Sequence, residues 1–223
     1  MVSQQRPRLA TRDRLLAAAA AEFAARGFDG ATVDRIAARA RVNKAMLYYH
    51  FAGKAALYRD ILRSTFAGVA AAVAAVRDRG GAPEAQIAGF VHAVVREAAE
   101  RPHFPAIWLR EMAEGGRHLD DQTIGGVKQV IETLTHVLAE GRRAGRFAPV
   151  HPLVAHLGIV APILFFAASG PLRQRFAHLM PSTLVLPPIT LVADHVVAAT
   201  LAALTPTAPT TNQSTPTRRS ARR

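Results

Sequence analysis

The run from Thr32 to Lys54, TVDRIAARARVNKAMLYYHFAGK, restricts the fold more than any other part of the chain, because it spells two short helices joined by a tight turn. Thr32 is a capping residue for a helix in which Val33, Ile36, Ala37 and Ala40 recur at helical spacing and leave Asp34, Arg35, Ala38 and Arg39 outside. The pattern breaks at Arg41-Val42. Asn43, whose side chain can accept from amides near Ala45 and Met46, then starts a second helix at Lys44. In that helix Leu47 turns inward with Val42 and Phe51, while Lys44, Ala45, Met46, Tyr48, Tyr49 and His50 point outward.

Two exposed tyrosines require a reason, and a helix-turn-helix supplies one: its second helix puts N-terminal side chains at base edges and its flanks on phosphates. Leu47-Tyr48-Tyr49-His50-Phe51 followed by Gly53-Lys54 resembles the signature of the TetR family of transcriptional regulators, and the likeness runs from Thr11 to about Leu62. The resemblance implies that Lys44, Ala45 and Met46 face bases. It implies that Thr32, Tyr48, His50 and Lys54 hold the phosphate backbone, with Lys54 helped by amides at a helix start. Arg41, Asn43 and Tyr49 complete the expected DNA-binding set. Two positions depart from the family pattern: Arg41 stands where glycine is usual, and Met46 where a small or hydroxylated residue is usual. An arginine in a left-handed turn is strained, and a methionine reads a base by contact alone, for example a thymine methyl.

Charge is placed to match. Residues 1–64 carry 12 Lys+Arg against 5 Asp+Glu, residues 65–217 carry 12 against 11, and the last six add four arginines. A positive field concentrated on the two-helix unit and on the tail attracts a polyanion, with affinity drawn from counterion release.

The rest of the chain reads as all-α. Thr11 opens a helix burying Leu15, Leu16, Ala19, Ala20 and Phe23 and ending at Gly27; Gly53-Lys54 begins a long one to about Arg77, stopped by Gly80-Gly81. Further helices are expected over 83–100, 103–114, 120–144, 152–169 and 189–204, with one short helix around 173–179. The domains expected are an N-terminal arm (1–10) in which Arg6 and Arg8 could reach a minor groove, a DNA-binding domain (11–53), a helical ligand-binding and dimerisation domain (54–204) and a disordered basic tail (205–223). The run Leu153 to Ala168 is almost wholly apolar, yet it is shorter than the about 20 residues of a membrane span and contains His156 and Pro162. It reads as a buried or subunit-interface helix. With Ala198, Ala199, Ala202 and Ala203 permitting close approach, it and the last helix are the expected homodimer surface.

Function classes narrow by elimination. No cysteine is present, which removes disulfides, thiolate metal sites and a cysteine nucleophile and is compatible with a reducing cytoplasm. The first residues lack a leader-like apolar run. No G-x-S-x-G elbow, P-loop, Gly-rich dinucleotide turn or H-E-x-x-H run appears, so no enzyme is expected. The closest histidines, His151 and His156, are five apart, so neither metal nor cofactor is expected. The resemblance implies a variable small-molecule sensor domain after the long helix. Phe90, Phe104, Trp108, Met112, His136, Phe165 and Phe166 are its candidate ligand-binding residues, with His136 the hydrogen-bonding one. Few acidic groups lie among them, which points to an apolar or aromatic effector. The reading is a ligand-responsive repressor that binds a palindromic operator in double-stranded DNA as a homodimer. A sequence-indifferent basic nucleic-acid-binding protein is the alternative.

Overall fold

Helices account for the regular structure of residues 10–179 and 187–206, which the structure, a computed structural model, describes. They are α1 (Thr11–Gly30), α2 (Val33–Ala40), α3 (Lys44–His50), α4 (Lys54–Asp78), α5 (Pro83–Glu100), α6 (Phe104–Ala113), α7 (Asp121–Arg143), α8 (Pro152–Ala168), α9 (Gly170–Arg175) and α10 (Ile189–Leu204), with a 3-10 turn at Ala177–Leu179. The expected all-α class is observed, and no strand forms among the described residues. The expected arm with Arg6 and Arg8, and the tail beyond Pro206, lie outside the described residues.

Local chemistry explains the boundaries. Gly27 takes φ 71° and interrupts α1, as its position suggested, and the chain resumes a short turn before Ala31. His103 and Asp120, expected as first helical residues, are instead the N-caps of α6 and α7. Proline stands in the first turn of α5, α6, α8 and α9, where its missing amide costs nothing.

Two cores divide the molecule. The first gathers Leu15, Ala19 and Phe23 of α1, Ile36 of α2, Leu47 of α3 and Leu57 and Leu62 of α4, and it is closed by Phe104 and Ile107 of α6. The second gathers Val73 of α4, Ile87 and Phe90 of α5, Leu134 of α7, Ile159 and Ile163 of α8 and Ala193 and Val196 of α10. Each fully buried large side chain is worth about 1.5–3 kcal/mol, so the α1–α3 unit is anchored to α4 rather than merely tethered to it. The helix α4 enters both cores, and α6 packs against α1 on one side and α8 on the other.

Candidate DNA interface and buried cavity

The two-helix unit is fixed from below so that one face stays open. Thr32 Oγ1 accepts the Arg35 amide at 3.3 Å and Asn43 Oδ1 accepts the Ala45 amide at 2.9 Å, capping α2 and α3. Between them Arg41 lies in the left-handed region, φ 55°, the one non-glycine residue so placed among the described residues. That conformation costs about 1–2 kcal/mol. Arg14 of α1 braces this turn, donating to the carbonyls of Ala40 and Arg41 at 2.6 and 2.7 Å. Nothing in the local motif announced Arg14, because its partners are 26 and 27 residues away. Leu47 is buried, while Lys44, Ala45, Met46, Tyr48 and Tyr49 are exposed, Tyr49 at 80 %.

The lysines differ. Lys44 donates to Asp34 at 2.8 Å, and this hydrogen bond raises its pKa above the ordinary lysine value. Both partners are well exposed, so a nearby base or phosphate can compete for the ammonium. Lys54 turns the other way: its Nζ donates to the Phe28 and Ala31 carbonyls at 2.8 and 3.1 Å and sits 4.3 Å from the Phe28 ring centre. Against the expectation that it is offered to a phosphate, this ammonium is turned towards the protein's own backbone in the free chain. Two of its three donors close the end of α1 against the start of α4.

Behind the reading unit lies a polar node. Tyr58 of α4 donates to Glu111 of α6 at 2.8 Å, and the His118 amide and ring nitrogen Nδ1 approach the same carboxylate at 2.8 and 2.9 Å. The His118 ring also packs on Phe28, with centroids 4.0 Å apart. Burial pushes the Glu111 carboxyl up, but the bonds from His118 and Tyr58 outweigh it and the net direction is downward. Burial and the bond to Glu111 raise the Tyr58 hydroxyl. Arg110 donates to the Phe23 carbonyl at 3.0 Å, and Arg117 reaches Asp29 at 2.7 Å. Glu111, Glu114 and His118 come within metal-ligating range of one another, which counting histidine pairs did not reveal. As the chain stands, Glu111 accepts from Tyr58 and the His118 amide, and Glu114 from Arg117.

Further along α6 the other face meets a cavity. Phe104 and Trp108 form part of its wall with Phe66, Val69, Val94, Val130 and Leu164, and Thr65, Glu97 and His156 add the polar groups. Its free space is about 60 Å³, well below the ~300–1,000 Å³ typical of occupied ligand sites, so this state is nearly closed. Phe66 meets Trp108 edge-on at 4.7 Å and Phe104 at 5.4 Å. A roomier trough of about 560 Å³ beside Arg142 and Arg143 is open to solvent and lacks an aromatic lining.

Of the candidate ligand residues, Phe104 and Trp108 come together here. The other five do not. Phe90 is sealed in the second core. Met112 is exposed, and Phe165 is 69 % exposed on the outer side of α8. Phe166 lies under the Arg173 guanidinium at 3.8 Å. His136 faces solvent and lies 3.2 Å from Glu140, whereas His156 enters the cavity wall in its stead. Few acidic groups were expected among the aromatics, and one, Glu97, lines the cavity; it is buried and ion-paired with Arg101. Helical spacing could not find His156 and Glu97, since both are read only once α5 and α8 face α4.

The outer surfaces of α8 and α10 carry Val154, Leu157, Phe165 and Leu191, all more than half exposed, beside exposed Ala198, Ala199, Ala202 and Ala203. No helix of the described residues is long and apolar enough to cross a membrane.

Residues 15–61 match the bacterial regulatory proteins of the tetR family, and residues 83–180 match a tetracyclin repressor-like C-terminal domain. The HTH-type transcriptional regulator RutR of Escherichia coli O157:H7 is 30% identical over 143 residues, 64% of this chain and 67% of that protein. The HTH-type transcriptional repressor NicS of Pseudomonas putida is 29% identical over 131 residues, 55% of this chain and 62% of its own length. Among solved structures, the ketosteroid transcriptional regulator KstR2 of Mycobacterium tuberculosis superposes with a TM-score of 0.71 at 21% identity, covering 93% of this chain and 100% of that one, a likeness of fold. A capped helix-turn-helix with an open recognition face, set on an all-helical second domain and matched by both halves of one family, makes this chain a DNA-binding transcriptional regulator of the TetR family.

Proposed function

We propose that the chain is a cytoplasmic repressor that binds a palindromic operator as a homodimer and leaves it when a small apolar or aromatic effector opens the α4–α6–α8 cavity. The carrying observation is the double duty of α6. Phe104 and Trp108 line the cavity, while Arg110 and Glu111 of the same helix hold the Phe23 carbonyl and Tyr58 behind the reading unit. A ligand that widens the cavity by pushing on α6 or α4 moves the helices that hold the reading unit. In the bound state Lys44, Ala45 and Met46 face base edges, while Thr32, Tyr48, Tyr49, His50 and the α4 amides take phosphates. Arg41 adds positive charge beside them, and Asn43 acts as the cap that aims α3. The exposed apolar faces of α8 and α10 pair across a two-fold axis, spacing the two recognition helices about one duplex turn, roughly 34 Å, or more apart. The names of NicS, a repressor, and KstR2, a ketosteroid regulator, fit this reading.

Selection of bound duplexes from a random pool tests it. An inverted repeat bound by two copies of the chain is expected. Uniform recovery of unrelated sequences at matched salt would favour a sequence-indifferent binder and overturn the proposal.

A further inference from the structure

The polar groups of the cavity point to a definite ligand chemistry. Thr65 already donates its hydroxyl proton to the Ile61 carbonyl at 2.8 Å, so towards the cavity it can only accept. The Glu97 carboxylate, held by Arg101, has only lone pairs to offer. His156 is the group left wanting: its Nδ1 is buried and has no partner. Burial lowers the pKa of this ring and so favours its neutral form, in which Nδ1 accepts when Nε2 carries the proton. The remaining wall is apolar, with the Phe66, Phe104 and Trp108 rings set edge-on or parallel to one another.

Building on the reading of this cavity as the effector site, we infer that its ligand is a neutral aromatic compound carrying a hydroxyl or amino hydrogen-bond donor, which His156 Nδ1 receives, and that Glu97 turns carboxylate ligands away. The donor satisfies the one orphaned buried nitrogen of the wall, and the ring replaces contacts the three aromatic side chains now make with each other. A carboxylate placed there meets the Glu97 oxygens, which have no proton to give it and which already occupy the Arg101 guanidinium. A cavity of about 150 Å³ takes one benzene ring, so the space must open by roughly one ring. Trp108, which is only partly buried, is the side chain free to move aside.

Trp108 is also the sole tryptophan of the chain, so its emission reports on the site directly. The full chain is titrated calorimetrically with para-ethylphenol, ethylbenzene and para-ethylbenzoate, with Trp108 emission and release of the selected duplex followed alongside. The phenol should bind at least about ten-fold more tightly than either other probe, the scale of one buried hydrogen bond, and should shift Trp108 emission. His156→Leu should erase its advantage over ethylbenzene, a ratio measured within one variant and so insensitive to partial loss of folded protein; His156→Gln should retain part of it. Glu97→Gln should improve binding of the benzoate, because Arg101 then lacks its counter-charge, and a gain of this kind cannot arise from misfolding. Equal affinities, a preference of the unaltered protein for the benzoate, or a phenol advantage that survives His156→Leu would overturn the inference. If the phenol binds as expected without releasing the duplex, the ligand chemistry stands and the regulatory reading falls. If no probe binds although a dyad site is selected, the ligand assignment falls and the DNA reading stands.

Discussion

At the scale of single residues, the two lysines flanking α3 carry the same charge and do unlike work. Lys44 projects from the first turn of α3, tied only to the exposed Asp34. Lys44→Ala should therefore leave the fold nearly unchanged, cost roughly 1–3 kcal/mol of operator affinity and relax discrimination at one base per half-site, as measured by competition binding with base-substituted duplexes. Lys54, partly buried, clamps the end of α1 to the start of α4. Lys54→Met keeps the apolar stem but strips two carbonyls of a charged donor, so unfolding should become easier by about 1–3 kcal/mol. All duplexes should weaken alike, with no change in the slope of affinity against salt. A lowered salt slope in Lys54→Met with unaltered melting would show that the ammonium swings out to a phosphate in the complex. This distinction was only half legible in the sequence. The motif Gly53-Lys54 marks a helix start, but which way a long side chain turns there depends on Phe28 and Ala31, brought close by the glycine break in α1.

At the scale of elements, the start of α7 shows how the second domain is fastened to α4, the long helix that enters both cores. Asp120 caps α7 by accepting from the Thr123 amide and hydroxyl at 2.9 and 2.8 Å, and its other oxygen accepts from Arg63 of α4. The Arg63 contact, with help from the Thr123 bonds, lowers its pKa from 3.8 to about 2. The folded form is thus favoured with this carboxylate charged. Its contribution is complete above pH 3.8 and drains away as pH falls towards 2. Asp120→Ala should cost about 1–2 kcal/mol from the cap alone. Asp120→Asn should keep most of the cap yet flatten the acid limb of a stability profile followed by circular dichroism; an unchanged acid limb would refute the assignment. Helix existence was readable here from the apolar stripes of elements such as α2 and α7, from capping residues such as Thr32, Asn43 and Asp120, and from the prolines and glycines that bound others. What failed were inferences that need the far side of a contact. Met112, Phe165 and Phe166 look like pocket residues by type, but the rotation of α6 and α8 about their axes turns them elsewhere. Phe90 looks the same and is consumed by core packing.

At the scale of the whole molecule, α8 and α10 leave Val154, Leu157, Phe165 and Leu191 more than half exposed on their outer surfaces, the kind of apolar face that marks an interface. Leu157→Glu puts a charge at a site already half exposed in the single chain, so its own fold should change by no more than about 0.5 kcal/mol. Light scattering should then report a monomer, and binding to an inverted repeat should collapse to half-site strength. A dimer of unchanged mass would move the interface elsewhere. The placement of α6 between the two cores has a last consequence, for retargeting this protein by design. Trp108 and Phe104 share a helix with Arg110 and Glu111, which hold the reading unit, so substitutions there act on the element that transmits the signal. The cavity walls supplied by α5 and α8 bear no such obligation to α1–α3. Libraries aimed at new inducers should therefore diversify Val94, Glu97, His156 and Val160 and leave α6 untouched, so that recognition of a new compound and its transmission to DNA are not lost together.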